Sequence, residues 1–323
     1  MKSISQHLPS TAFKSSSTSS RNFNMSIKNV VIIGAGGNLG PSVLNAFLKS
    51  SFNVTVLSRE GSDKTFPDGV KVVRANFESF DSLKSAFQGQ DAVVSLVASH
   101  VLASQTQLID AAIAAGVKRY IPSEFGSNTA DPRNLEAVPL FKGKVDVQDY
   151  LKSKENEISR TVIVTGPFFD WGLKTGFLGV DVQNKTVSLV DQGTATFSTT
   201  NLRQIGIATV KVLEHAEETK NKVVYVSSFE TSQKELLEKA EKLTGEKYKV
   251  EHLESAQLRQ GGLDKIQAGD FSGFVPLIQA AVAGKAGLGD HRPFGLWNEK
   301  LGLEKEDFDE SIKAGLSGKD YGQ

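Results

Sequence analysis

The sequence predicts an α/β protein: a doubly wound parallel sheet followed by a smaller, mostly helical C-terminal region. Three observations carry this. Short apolar runs alternate with helical stretches between residues 29 and 165. A glycine-rich turn, Gly34-Ala35-Gly36-Gly37-Asn38-Leu39-Gly40, separates the first run from the first helix. The alternation stops after Gly166-Pro167. Strands that alternate with helices pair in parallel through right-handed crossovers, and with a glycine turn at the first crossover the class is Rossmann-type.

The elements follow in order. Asn29–Gly34 (NVVIIG) is mostly apolar, as expected for a strand buried on both faces. A helical stretch covers Gly40–Ser50. Asn53–Leu57 and Gly69–Arg74 are β-rich, and Asp81–Phe87 is a short helix. Asp91–Val97 is a fourth strand. Ser104–Ala115 is a helix closed by Gly116. Val117–Pro122, Leu140–Ser153 and Thr161–Thr165 give strand, helix, strand. Beyond Pro167 the runs at Lys185–Val190, Thr194–Ser198 and Lys222–Ser227 are extended; Leu202–Ala216, Ser232–Leu243, Glu254–Gln260 and Glu304–Ala314 are helical. The division expected is a tail at 1–27, a dinucleotide-binding domain at 28–166, and a substrate-binding region at 167–323 whose strands return to the main sheet.

Composition removes several classes of function. The 323 residues carry 37 Lys+Arg against 37 Asp+Glu, so no global field gathers nucleic acid or an anionic membrane. The chain has no cysteine, which removes disulfides and thiolate chemistry. Its 5 histidines show no metal-ligand spacing. No apolar run approaches the roughly 20 residues that span a bilayer. The stretch before Lys28 is basic, rich in Ser and Thr, and free of acids. It reads either as a dispensable tail, with translation starting at Met25, or as a mitochondrial transit peptide. The first reading makes the protein cytoplasmic.

The glycine turn sits where dinucleotide binding needs it, after a strand and before a helix. Gly34 permits the tight turn, Gly36 or Gly37 admits a pyrophosphate against the backbone, and Gly40 lets helix and strand pack closely. The N–H groups of Asn38 and Leu39 then face phosphate at a helix N-terminus. Pro41 suits the first helical turn. The second strand ends in Ser58-Arg59, where NAD-binding chains place an acid for the ribose hydroxyl. Arg59 can clamp a 2′-phosphate. Glu60 is the one feature against it. The cofactor expected is NADPH.

Several segments together resemble the NmrA-like, isoflavone reductase-like group of atypical short-chain dehydrogenases, and its fungal branch in particular. These are the glycine turn, Val54–Arg59, Arg119-Tyr120-Ile121-Pro122-Ser123-Glu124-Phe125-Gly126, Phe141-Lys142-Gly143-Lys144, and Leu296-Trp297-Asn298 with Leu301-Gly302-Leu303. The resemblance implies an NAD(P)H-dependent reductase acting on a small molecule. It implies that Lys144, closing the FxxK pattern, is the acid/base group beside the nicotinamide. A lysine near a cationic ring or apolar walls loses affinity for its proton, which suits that task. The plant reductases continue with an Arg-rich helix; here the chain reads Val145-Asp146-Val147-Gln148-Asp149-Tyr150-Leu151, which puts the plant substrates in doubt.

Other assignments stay open. Tyr150 and Lys154 form a YxxxK match, with Ser123 upstream in the place of a catalytic serine. At about 100° per residue, Lys144, Val147 and Leu151 share a helix face and Tyr150 lies about 120° away, so Lys144 and Tyr150 cannot both face the cofactor. Ser123 is a candidate cofactor contact, Glu124 a loop anchor, and His100 a ribose or substrate contact. Phe168, Phe169 and Trp171 either wall a flat pocket or fill a core. The functions in view are a reductase of a small aromatic or polyketide-like substrate, or a cofactor sensor that binds a protein partner and catalyses nothing.

Overall fold

The computed structural model describes residues 26–98 and 105–322. Seven strands form the main sheet: β1 (Asn29–Ile33), β2 (Asn53–Arg59), β3 (Lys71–Ala75), β4 (Ala92–Ser95), β5 (Arg119–Ile121), β6 (Ser159–Val164) and, from far along the chain, a strand at Lys222–Tyr225. That last strand is β10 once β7 (Val180–Asp181), β8 (Thr186–Val190) and β9 (Phe197–Thr199) are counted. The order is β10-β6-β5-β4-β1-β2-β3, with every pairing parallel. Strand order reverses between β1 and β4. In open α/β sheets that reversal opens a crevice at the carboxyl ends of the strands.

Helices cover both faces. On one lie α1 (Gly40–Leu48) and α7 (Leu202–Glu214), joined to the sheet through Val30, Ile32, Val43, Phe47, Ile205 and Val212. On the other lie α2 (Phe80–Phe87), α3 (Gln105–Ala114) and α5 (Lys142–Ser153), packed through Val31, Leu57, Leu83, Leu108, Tyr120 and Leu151. Successive strand residues point to opposite faces. That is why Val30 and Val31 serve different layers, and why the strands read as unbroken apolar runs.

Between them run α4 (Pro132–Ala137) and α6 (Phe169–Lys174). The remaining elements are β11 (Phe229–Thr231), α8 (Gln233–Thr244), β12 (Lys249–Leu253), α9 (Ser255–Gln267), α10 (Phe274–Ala283) and α11 (Phe308–Leu316). Strands β12-β8-β7 make a small mixed sheet and β11-β9 an antiparallel pair. Phe169, Leu173, Phe197, Phe229, Leu236 and Ile312 form a separate core there. Residues Leu202–Glu214 and Lys222–Tyr225 leave this half and complete the main sheet and its helical layer. Helices α4, α6 and α10 do not announce themselves in the sequence. The first two are one to two turns long, and α10 (FVPLIQAAVA) is apolar on nearly every side, so no periodic stripe stands out. Among the described residues no helix is long and apolar enough to cross a membrane.

Arg119, at the start of β5, is wholly buried. Its guanidinium donates to Ser159 Oγ (2.8 Å), Thr161 Oγ1 (2.7 Å), Thr219 Oγ1 (3.2 Å) and the Ala216 carbonyl (2.6 Å). It ties β5 and β6 to the end of α7. Burial pulls its pKa down to about 10, partly offset by the charge of Glu217. Removing such a group leaves its acceptors buried and unmet, a loss of about 3–5 kcal/mol. Arg119→Leu is therefore expected to lower the free energy of unfolding, read from urea titration of the purified chain, by that margin, or to prevent soluble expression. A free energy within about 1 kcal/mol of the parent would show that the guanidinium does not hold this edge.

Candidate functional site

The site grows from the turn after β1. Gly34 has φ +82, and a Cβ there would lie 2.5 Å from the Leu96 carbonyl oxygen, just past β4. A Cβ on Gly40 would lie 2.2 Å from the Ala35 carbonyl oxygen. Both glycines are imposed by close backbone approach. Gly36, Gly37 and Asn38 are exposed, while the side chains of Ala35 and Leu39 are buried. The turn closes on itself through Gly37 N–H to the Gly34 carbonyl (3.0 Å) and Gly40 N–H to the Gly37 carbonyl (3.2 Å). The N–H groups of Asn38 and Leu39 have no internal acceptor among the described residues. With the N-terminus of α1 behind them, they form an open cradle for phosphate.

Arg59 ends β2, exposed on the same side. A second cation joins it that sequence reasoning missed. The Lys64 side chain crosses the turn, close enough that a Cβ on Gly36 would sit 3.3 Å from its Cγ and Cδ. Arg74, on β3, donates to the carbonyls of Ser62 (2.7 Å) and Lys64 (3.4 Å) and so holds the loop that carries Lys64. The signal was present as a second cation five residues after Arg59, but only the fold of the loop brings it back over the glycines.

The ends of β4 and β5 form the next part of the edge. Ser95 Oγ and Gln105 Oε1 are 3.0 Å apart. The same Gln105 oxygen accepts from the Ser123 N–H (3.2 Å), and Ser123 Oγ donates to the Val97 carbonyl (2.7 Å). The Ser123 hydroxyl thus offers the crevice an acceptor, its proton being committed. Next comes Glu124, buried, its Oε2 accepting from Thr129 Oγ1 (2.7 Å). Phe125 has φ +25, a left-handed value that is costly for a non-glycine residue. Gly126 is held by two bonds to its carbonyl, from Thr165 N–H (3.2 Å) and Gly166 N–H (3.0 Å).

Lys144, in the first turn of α5, donates to the Glu124 carbonyl. Burial pushes its pKa below the ordinary lysine value, and the Glu124 charge opposes that fall. Burial likewise raises Glu124, against the Lys144 charge and the hydrogen bonds of Thr129 and Gln148. Phe141, which opens the FxxK pattern, packs edge-on against Phe274 of α10 at 5.9 Å, so the C-terminal half braces the helix bearing Lys144.

Tyr150 points elsewhere. Its hydroxyl donates to Asp110 on α3, and that hydrogen bond leads the causes that raise its pKa to about 12. A tyrosine so held is a poor proton acceptor or donor for catalysis. Lys154 lies over its ring at 5.8 Å and pairs with Glu157. The YxxxK match is thus a contact between α3 and α5. The aromatic trio divides: Phe169 is fully buried against Phe229 (4.9 Å) and Phe308 (5.7 Å), whereas Phe168 and Trp171 are half-buried and stack edge-on at 6.4 Å. His100 and residues 1–25 lie outside the described residues. No cluster of His, Asp and Glu suited to a metal occurs among the described residues.

The chain is 31% identical to the oxidoreductase aprR of Aspergillus flavus over 91% of its own length and 100% of that protein's. It is 32% identical to the oxidoreductase poxI of Penicillium oxalicum over 86% of its length and 90% of that protein's. Its fold is similar to that of leucoanthocyanidin reductase from Vitis vinifera, solved as a binary complex with NADPH, with TM-score 0.74 and 19% identity over 90% of this chain and 99% of the other. Residues 26–268 match the NmrA-like family, and the chain belongs to that family.

Proposed function

We propose that this chain is an NADPH-dependent reductase that delivers hydride to an electron-poor carbon of a small substrate, aromatic or polyketide-like in character. One observation carries the reading: Lys144, half-buried in the first turn of α5 and hydrogen-bonded to the Glu124 carbonyl just past β5, sits at the same sheet edge as an open phosphate cradle. The cradle fits a dinucleotide. Its exposed glycines admit backbone contact, and its spare N–H groups face outward. Arg59 and Lys64 flank it where an adenosine 2′-phosphate would fall. The fungal relatives are named oxidoreductases, and the similar plant reductase was solved with NADPH. Phe168 and Trp171 supply a half-exposed aromatic wall at the end of β6.

NADPH, when bound, supplies the hydride. The protein does the rest. The turn and the α1 N-terminus hold the phosphates. Ser123 offers an acceptor beside the β4–β5 edge. Lys144 would give its proton to the substrate oxygen that gains electrons, and the Glu124 carbonyl would steer the ammonium beforehand.

Two outcomes are expected. In calorimetric titrations of the full chain, NADPH binds more tightly than NADH. Arg59→Ala and Lys64→Ala each weaken NADPH by about 10- to 100-fold, the worth of a charged phosphate contact, and leave NADH almost unchanged. Equal losses for both cofactors would remove the 2′-phosphate assignment. In screens of enones, quinones and benzylic ethers, followed by loss of nicotinamide absorbance, Lys144→Ala lowers kcat by about 100-fold or more with NADPH affinity retained. The donor is the protonated amine, whose pKa lies below the usual lysine value. Turnover therefore falls as pH rises, on a limb below that value, and the variant lacks the limb. Full turnover by Lys144→Ala would defeat the assignment. Tight NADPH binding with no turnover across the panel would favour a cofactor sensor.

A further inference from the structure

We propose that Glu124 is a positioning residue for Lys144, its backbone carbonyl aiming the ammonium and its buried carboxylate setting how firmly the amine holds a proton. Four observations meet here. Lys144 Nζ donates to the Glu124 carbonyl, so the residue that bears the charge also bears the hydrogen-bond acceptor. The carboxylate is 2% exposed, and Thr129 Oγ1 donates to it at 2.7 Å. Gln148, one turn beyond Lys144 on the same helix, donates from Nε2 to Thr129 Oγ1 at 2.6 Å. The circuit is therefore closed. Helix α5 reaches Glu124 from Lys144 at the carbonyl and from Gln148 through Thr129 at the carboxylate.

The fourth observation is the backbone. Phe125 is held at φ +25 between Glu124 and Gly126, with its ring buried in the core beneath α1 and α7. Gly126 is pinned by Thr165 and Gly166 from the end of β6. A strained residue persists only where its surroundings over-determine it. Here the strain turns the Glu124 carbonyl toward α5, while the Ser123 hydroxyl, one residue earlier, is tied to Val97. Relaxing Phe125 would swing the carbonyl away from Lys144 and break the circuit.

The electrostatic consequence has a definite sign. Among the described residues Glu124 is the charge that acts on Lys144, and Lys144 the charge that acts on Glu124. Desolvation drives the lysine toward its neutral form and the acid toward its own. Their attraction opposes both. Removing the carboxylate therefore weakens the hold of Lys144 on its proton, and removing the ammonium weakens the ionisation of Glu124. The carboxylate belongs to the residue whose carbonyl Lys144 Nζ reaches, so it acts on the ammonium through space, and an opposite charge in a desolvated site moves a neighbouring proton affinity by about tenfold or more.

The inference deepens the reductase reading, since it concerns the same lysine, but its test needs no substrate. The cofactor-free full chain would be labelled with ¹³C at lysine Cε and glutamate Cδ. Lys144→Met and E124Q identify the two resonances by their loss. In E124Q the Lys144 midpoint should fall, with proton affinity lower by about tenfold or more. In Lys144→Met the Glu124 midpoint should rise. Glutamine keeps the backbone carbonyl and can still bond Thr129, so a change of midpoint reports the charge rather than the scaffold. Should E124Q fail to fold, Lys144→Met reads the same coupling from the other side. Unchanged midpoints would overturn the coupling and leave the reductase reading standing. Shifted midpoints together with full turnover by Lys144→Ala would do the reverse.

Discussion

The contact on which the site depends is the approach of the Gly34 backbone to the Leu96 carbonyl. It joins the end of β1 to the end of β4, the two strands between which the order of the sheet reverses. No side chain fits there, since a Cβ would lie 2.5 Å from the carbonyl oxygen. Because the turn is this tight, α1 starts at once, and Gly40 must be equally bare to pass Ala35. The exposed glycines, the two uncommitted N–H groups and the positive end of α1 all follow from that geometry. The cradle is a by-product of packing a helix directly on a buried sheet.

The other half of the site is made differently. Its geometry rests on strain and polar bonds rather than on missing side chains. Ser123, Glu124, Phe125 and Gly126 are each fixed by a separate element: Val97 after β4, Thr129 and Lys144 at the helical layer, the core below α1, and the end of β6. Four anchors on four consecutive residues leave the segment little freedom, so the carbonyl that receives Lys144 has a fixed direction. Phe141 adds a fifth support through Phe274. The lysine is placed jointly by the sheet and by the C-terminal helices.

This division explains what the sequence made legible. Strands β1, β2, β4 and β6 were readable because burial forces a largely apolar run, and the turn because Gly34 and Gly40 answer steric demands. The candidate Lys144 came from the FxxK resemblance, and helix geometry separated it from Tyr150. What stayed hidden depends on contacts between distant segments. Lys64 reaches Gly36 only because Arg74, ten residues on, holds its loop. Tyr150 fits a catalytic pattern until its hydroxyl is seen to donate to Asp110 on α3. Phe168 and Phe169 are neighbours in sequence, yet a strand-like residue followed by the start of α6 sends one toward the edge and the other into the core. Glu124 reads as a loop anchor, which it is, and nothing local shows that it faces a lysine on another element.

The same reasoning separates what is general to this architecture from what is particular to this chain. The cradle is built from backbone, so many sequences can make it, and it carries no information about substrate. Arg59 and Lys64 lie beside it as exposed cations, again without reference to the substrate. Two apolar surfaces lie outside the cradle. They are the half-buried pair Phe168 and Trp171, which follows β6, and the α4–α10 layer that meets Phe141. Both belong to segments where apolar area is partly exposed and tertiary contact decides conformation.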